Sequence, residues 1–300
     1  MLAHAAAAGV AAAVPFRAES SPSKLPFRFS LNAATLMGHK LSLPDFVDIA
    51  AKAGYDGIEP WIREMDAFMK DGGNLDDLAK RIRDRNLTVE NVMSFAEWIV
   101  DDDERRAKAL ENLKREMDLV RRIGGKRIAA PPAGATKQTD FNLVKAAERY
   151  RAVLELGATM GVVPQLEIWG GSKTLSRLSE AAFVATESGH PNACLLLDVY
   201  HLYKGGSGFH SLTLLNGVRM HVFHLNDYPA DPPRETITDA ARVYPGDGVA
   251  PLANIFRDLR AIGFRGALSV ELFNRTYWQQ DALAVARTAL EKTRALVKAG

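Results

Sequence analysis

Glu167 closes the run VVPQLE, Asp198 closes ACLLLD, His224 stands near the end of MHVFHL, and Glu271 closes GALSVE. Each ends a stretch that otherwise reads as a plain buried strand. A carboxylate or imidazole in such a place is costly unless it is paired or bound to a cation. Four of them, at the same end of four consecutive strand-like runs, point to one divalent metal ion. Three carboxylates and one imidazole make an oxygen-rich, fairly hard donor set. It suits Mn²⁺ or Mg²⁺ first, and Co²⁺, Zn²⁺ or Fe²⁺ remain compatible. The competing reading makes each residue an ordinary polar strand end. It serves for any one of them alone and weakens when all four are taken together.

These residues need a frame. From residue 27 onward, short apolar or β-branched runs alternate with longer amphipathic ones. The expected strands lie in FRFSLN (27–32), DGIEPW (56–61), LTVENV (87–92), GGKRIAAPP (124–132) and the four runs above. Helices are expected at 41–55, where Ser42 is the N-cap and Gly54 the stop, and near 75–86, 103–123 and 140–159. Others follow near 175–188, 209–216, 251–262 and 278–298. The helix at 103–123 opens with acidic residues and closes with arginines, which suits its dipole. Eight strands, each followed by helical sequence, predict a single α/β domain, a (β/α)8 TIM barrel over residues 25–300. An open doubly wound sheet is the runner-up. It would usually carry a glycine-rich phosphate turn after its first strand, and SLNAATLMGHK has none.

In such barrels the chemistry sits at the C-terminal ends of the strands, where all four residues fall. Alternate strand residues share a face. Ser269 and Ala267 therefore share the face of Glu271, while Leu268, Val270 and Leu272 take the other. The small set suits the crowded barrel axis. His221 falls on the face opposite His224 and reads as a structural histidine.

Composition narrows the function classes. A net charge of +2 with no basic block argues against nucleic acid as a partner. The single cysteine, Cys194 in ACLLLD, excludes an intramolecular disulfide and a multi-cysteine zinc site, and reads as a small buried core residue. No apolar run approaches the ~20 residues that span a bilayer. Residues 1–14 are alanine-rich, and PFRAESSPSK follows as a linker, so residues 1–24 are expected to form a tail outside the barrel. Ala-x-Ala sites near 11–13 fit the remnant of an export signal, but the basic start of such a signal is missing. Cytoplasmic and exported (periplasmic) locations both stay open, as does a homo-oligomer.

The segments LEIWG, LDVYHLYKGG, VFHLNDYP, YPGDGVAPL and LSVELFN, in this order, resemble the xylose-isomerase-like TIM-barrel superfamily. That group includes ketose 3-epimerases, inosose isomerases and an endonuclease IV branch. The resemblance covers about residues 27–298. It implies that Glu167, Asp198, His224 and Glu271 bind one divalent metal, and that Glu167 and Glu271 also act as acid/base groups on either side of the substrate. It further implies that His201, three residues after Asp198, contacts substrate oxygens. A cation on a ketose carbonyl and its neighbouring hydroxyl stabilises the enediolate left when the α-proton departs. A carboxylate on each face then gives epimerisation, and one carboxylate shuttling the proton to the next carbon gives aldose–ketose isomerisation.

Further residues are expected near the same mouth. Asp227 is a candidate to orient the site from outside the ligand set, or a turn residue before Pro229. Asn32, Glu59 and Asn91 end the first three strands. Glu59 fits either a sugar hydroxyl or a salt bridge to Arg63. Trp61, Trp169 and Phe273 offer flat faces for a sugar ring or for simple packing. Lys204 with Gly205 and Gly206 reads as a surface turn or a loop over substrate. YPGDG (244–248) reads as a turn whose N–H groups can reach an anion.

The expected partner is a small sugar, keto-sugar or sugar phosphate. A phosphate would want basic residues at the mouth, with Arg234, Arg242, Arg275 and Lys204 as candidates. Three rivals remain. A lyase or dehydratase would use the same metal site for elimination. A non-catalytic sugar-binding barrel would not need an intact ligand set. An endonuclease IV-like nuclease would need extra histidines, yet no histidine or cysteine lies between His39 and His190.

Overall fold

The computed structural model describes residues 26–299. The tail expected over 1–24 lies outside the described residues. Eight strands appear in chain order: β1 (Arg28–Asn32), β2 (Gly57–Glu59), β3 (Thr88–Val89), β4 (Arg127–Ala130), β5 (Val163–Glu167), β6 (Leu195–Asp198), β7 (Met220–Leu225) and β8 (Ala267–Val270). They form one sheet in the order β3-β2-β1-β8-β7-β6-β5-β4. Every ladder in it is parallel. Between β3 and β4 the chain just past β3 completes the ring. Val92 N–H donates to Arg127 O at 3.2 Å, and Ala129 N–H donates to Val92 O at 2.9 Å. The result is the expected (β/α)8 barrel.

The helices are α1 (Leu43–Ala53), α2 (Ile62–Lys70), α3 (Leu75–Asp84), α4 (Asp103–Arg122), α5 (Leu143–Met160), α6 (Leu178–Glu187), α7 (Val199–Lys204), α8 (Leu252–Ala261) and α9 (Ala282–Ala299). Local chemistry sets their ends. Ser42 accepts from the N–H of Asp45 and caps α1, and Gly54 closes it at φ 95°, where a side chain would be strained. Asp102 caps α4 in the same way, and Arg121 and Arg122 sit at its negative end. Leucines, valines and phenylalanines between strands and helices form one continuous core. Among the described residues no helix is long and apolar enough to cross a membrane.

Three local departures matter. The helix expected near 209–216 is a 3-10 segment over Phe209–Leu214. The stretch after β2 holds a helix, α2, that the sequence reading passed over. Most consequential is α7, which starts with no loop after β6. Asp198 ends the strand and also caps the helix, its carboxylate accepting from His201 N–H at 2.8 Å. One aspartate thus fixes where the next turn of chain, with His201, comes to lie.

Register places the chemistry on one face. Asp198 pairs with His224, His224 with Ser269, and Ser269 with Ser30. Residues in parallel register share a face, so the small serines stand inside the barrel beside the acidic residues. That is the arrangement parity predicts.

Candidate metal and substrate site

Glu167, Asp198, His224 and Glu271 converge at the C-terminal ends of β5 to β8, all essentially buried. The Nδ1 atom of His224 lies 3.5 Å from Glu271 Oε2, 3.8 Å from Glu167 Oε1 and 3.9 Å from Asp198 Oδ2. Yet that Nδ1 has no hydrogen-bond partner, and neither has Glu167 Oε2. A buried polar atom without a partner is expensive. Ligand atoms from Asp198, His224 and Glu271 all lie within 4.8 Å of one another. Two ligands at ~2.1 Å from one ion stand up to about 4.2 Å apart. The 3.5–3.9 Å from His224 Nδ1 to the three carboxylates lie inside that span, so the donor set and its unpartnered atoms fit a divalent cation held by Asp198, His224 and Glu271, with Glu167 beside them.

The titration behaviour follows from crowding. Burial, then Glu271 and Asp198 nearby, push Glu167 up to about 8, although His224 works against them. Burial likewise raises Glu271. Burial alone would lower His224, but Glu271, Glu59 and Glu167 outweigh it and hold the imidazole well above its ordinary value. Asp198 goes the other way: burial opposes ionisation, and Arg242, His201 and His224 overcome it.

Arg242 ties several of these acids together. It was a candidate for gripping a phosphate. Instead it is fully buried. Its Nη1 donates to Glu271 Oε2 at 2.8 Å and Asp198 Oδ2 at 3.0 Å. Its Nη2 donates to Asp239 and lies 3.1 Å from His201 Nε2. The guanidinium packs over Tyr200 and Phe273. Its only sequence signal was an arginine in a loop rich in turn residues. The other phosphate candidates are also engaged elsewhere or exposed. Lys204 Nζ donates to the carbonyls of Arg234, Glu235 and Ile237 and ties that loop down. Arg234 and Arg275 are exposed.

Beneath the ring of ligands lies a second polar layer. Glu59 is fully buried, and both its oxygens lie 3.2 Å from His224 Nε2. Asn91 Nδ2 donates to Glu59 Oε1 at 2.9 Å, and Asn32 Nδ2 donates to Oε2 at 3.3 Å. Asn32 Oδ1 in turn accepts from Trp61 Nε1 at 2.9 Å. Burial would raise Glu59, but His224 beside it keeps its carboxyl below the usual range. A His224 Nε2–H aimed at Glu59 leaves the Nδ1 lone pair facing the three carboxylates.

Three residues expected to contact substrate, Asn32, Glu59 and Asp227, are absent from the lining of the cavity above the ring. Asn32 and Glu59 sit under His224, not at the mouth. Nor does Glu59 pair with Arg63, whose guanidinium lies 4.3 Å over the Trp61 ring. Asp227 does not touch His224. Its carboxylate accepts from the N–H groups of Tyr228, Gly246, Gly248 and Ala250 at 2.8–3.0 Å. The anion that the YPGDG turn reaches is thus Asp227 itself. A Cβ at Gly248 would come within 2.3 Å of Asp227 Oδ1, so that close approach requires glycine.

Above the ring opens a cavity of about 380 Å³. Glu167 and Glu271 reach it, with His201, Arg242 and Asp239. Asp198 and His224 do not line it. Trp61, Phe95, Trp169 and Phe273 form its aromatic wall. Of the residues expected at the mouth, His201, Trp61, Trp169 and Phe273 are there. His201 is nearly buried, and burial first, then Arg242, lowers it to about 4 against the pull of Asp198.

Known proteins share this architecture. An inosose isomerase of Bacillus velezensis is 28% identical over 276 residues, 90% of this chain and 97% of that protein. An L-ribulose 3-epimerase of Methylomonas sp. is 26% identical over 235 residues, 75% of this chain and 76% of that protein. The crystal structure of an IolI protein with a bound zinc atom superposes with a TM-score of 0.84 at 24% identity, covering 91% of this chain and 99% of that one. Both sequence relatives are enzymes that act on small sugar-like molecules. The profile of one family matches residues 47–296, and this chain belongs to that family, the xylose isomerase-like TIM barrels.

Proposed function

We propose that this protein is a divalent-metal-dependent isomerase or epimerase of sugar-like ketones, working by proton transfer at the carbon beside the carbonyl. One observation carries the reading. Three buried carboxylates surround an unpartnered His224 Nδ1, and two of them, Glu167 and Glu271, also face the cavity. Glu167, Asp198, His224 and Glu271 are the residues that would hold the ion. When bound, the ion supplies Lewis-acid polarisation of a carbonyl and its neighbouring hydroxyl. A zinc atom in the IolI protein and the activities of the inosose isomerase and ribulose epimerase support the reading.

The chain's own residues divide the remaining work. Glu167 and Glu271 come from strands separated by two others, β6 and β7, so they approach a bound ring from different sides. One accepts the α-proton and the other returns a proton. Asp198 and His224 stay below the cavity and hold. Arg242 keeps Glu271 and Asp198 in place and offsets their charge. His201 has an N–H donor at each ring nitrogen, Gly170 N at 3.2 Å and Arg242 Nη2 at 3.1 Å. A neutral ring has one lone pair for two donors. One donor at the ring is therefore left without an acceptor, and a substrate oxygen in the cavity beside His201 would supply it.

Turnover in D₂O with Mn²⁺ tests this. A panel of cyclic and open-chain ketoses should include a substrate that gains deuterium beside its carbonyl, and a chelator should stop the exchange. Conversion of a substrate without deuterium entry, or at full rate under chelation, would sink the proposal.

A further inference from the structure

We infer that the cavity is built for a substrate of two uncharged ring groups: a reacting ring at the acidic floor, and a second against a shelf made by Phe95 and Trp169. The inference rests on the proposed reading for the position of the reacting ring. Its own support is the aromatic wall and the charge of the lining.

The wall is a continuous row. Ring centroids are 6.2 Å apart from Phe273 to Trp61, 5.0 Å from Trp61 to Phe95 and 5.8 Å from Phe95 to Trp169. The inner two rings are already occupied. Phe273 carries the Arg242 guanidinium 5.0 Å from its centroid. Trp61 is 6% exposed, has Arg63 against one face, and is anchored through Nε1 to Asn32. The outer two rings are open. Phe95 is 43% exposed, and Trp169 beside it is half-buried. An exposed large aromatic next to another, on the lip of an acidic cavity, is an unspent apolar surface facing the entry path.

Size points the same way. At ~30 Å³ per water, the cavity holds about a dozen waters. A six-membered polyol ring has as many heavy atoms, but bonded atoms pack closer than separate waters. One ring at the floor therefore leaves the outer part, where the shelf lies, unfilled.

Charge selects against an anion. Among the described residues Arg242 is the one lysine or arginine lining the cavity, and its two Nη groups already serve Asp198, Glu271, Asp239 and His201, which leaves only its buried Nε without a partner. Glu167, Glu271 and Asp239 line the same space. Away from the ion, a phosphate or carboxylate on the substrate would meet acids and one arginine whose Nη groups are already taken. An uncharged ring or aryl substituent meets the two open aromatic faces.

Calorimetry with the Mn²⁺-loaded full chain tests this without turnover. The probes are D-glucose, phenyl β-D-glucoside and D-glucose 6-phosphate. The phenyl glucoside should bind at least tenfold tighter than glucose, and the phosphate no tighter than glucose. Phe95→Ala should bring the ratio of the first two affinities towards one. Phe183→Ala, an exposed aromatic on α6 away from the cavity, should leave the ratio intact. Equal affinities, tighter binding of the phosphate, a ratio that survives Phe95→Ala, or no binding of any probe would each overturn the inference. Deuterium exchange on a plain ketose reports separately on the catalytic reading, so either can fail while the other stands.

Discussion

Strands β5 to β8 bring Glu167, Asp198, His224 and Glu271 to the barrel mouth, and strands β1 and β2 bring Asn32 and Glu59, with Asn91 just past β3. Both sets are buried polar strand ends, yet they do different work. The second-half carboxylates crowd around one imidazole nitrogen, and atoms are left unpartnered. In the first half Glu59 is satisfied: Asn32, Asn91 and His224 all point hydrogen-bonding groups at it. An unsatisfied layer can bind a cation, and the satisfied layer below fixes the direction of the His224 ring. The contrast also runs along β7. His224 is held well above the ordinary histidine value by the carboxylates around it. Three residues earlier, at the other end of the strand, burial and then Arg127 lower His221 to about 4.

The largest expected effect separates the two layers by function. Glu271→Gln should lower kcat by about 10²–10⁴-fold with unchanged far-UV circular dichroism, because it removes a proton-transfer group at the cavity. Full activity in that variant would refute its role. A smaller effect belongs to the lower layer. Glu59→Gln should weaken Mn²⁺ affinity by about 10–100-fold, measured by calorimetry, because His224 loses the partner that sets its tautomer. Undiminished affinity would show that the first-half layer is only packing.

The smallest effect lies outside both layers. His201 and His221 sit at about 4 in the folded protein, against ~6.5 in an unfolded chain. Between those values the unfolded chain binds more protons at these two histidines, so their own contribution to stability falls as pH drops from about 6.5 towards 4. Urea midpoints at pH 7 and pH 5, compared between the parent and His221→Gln, isolate the effect: the variant should gain stability relative to the parent on going to pH 5. An unchanged difference would mean that His221 is not held neutral.

The same contrast explains what the sequence made legible. Glu167, Asp198, His224 and Glu271 stood out because a charged residue closing an apolar run has few structural reasons to be there. Strand parity gave their face, and the β-α alternation gave the barrel. Parity gives a face but not a depth along the barrel axis, so Asn32 and Glu59 were expected at the mouth although they lie beneath it. Arg242 belongs to a loop without period or partner in sequence, and its acids come from β6 and β8 and from Asp239. Only the closed barrel brings them together. Asp227 takes the second of its two readings, that of a turn residue. Its three residues of separation from His224 suggested an orienting role, but its hydrogen bonds run to residues 228–250, in a loop whose path no local pattern predicts.

Titrating the metal-free protein with Mn²⁺ tests the central claim most directly. The buried ring of Glu167, Asp198, His224 and Glu271 predicts one saturable site per chain, lost in Asp198→Asn. A folded protein with no saturable site, or with binding unchanged in that variant, would contradict it.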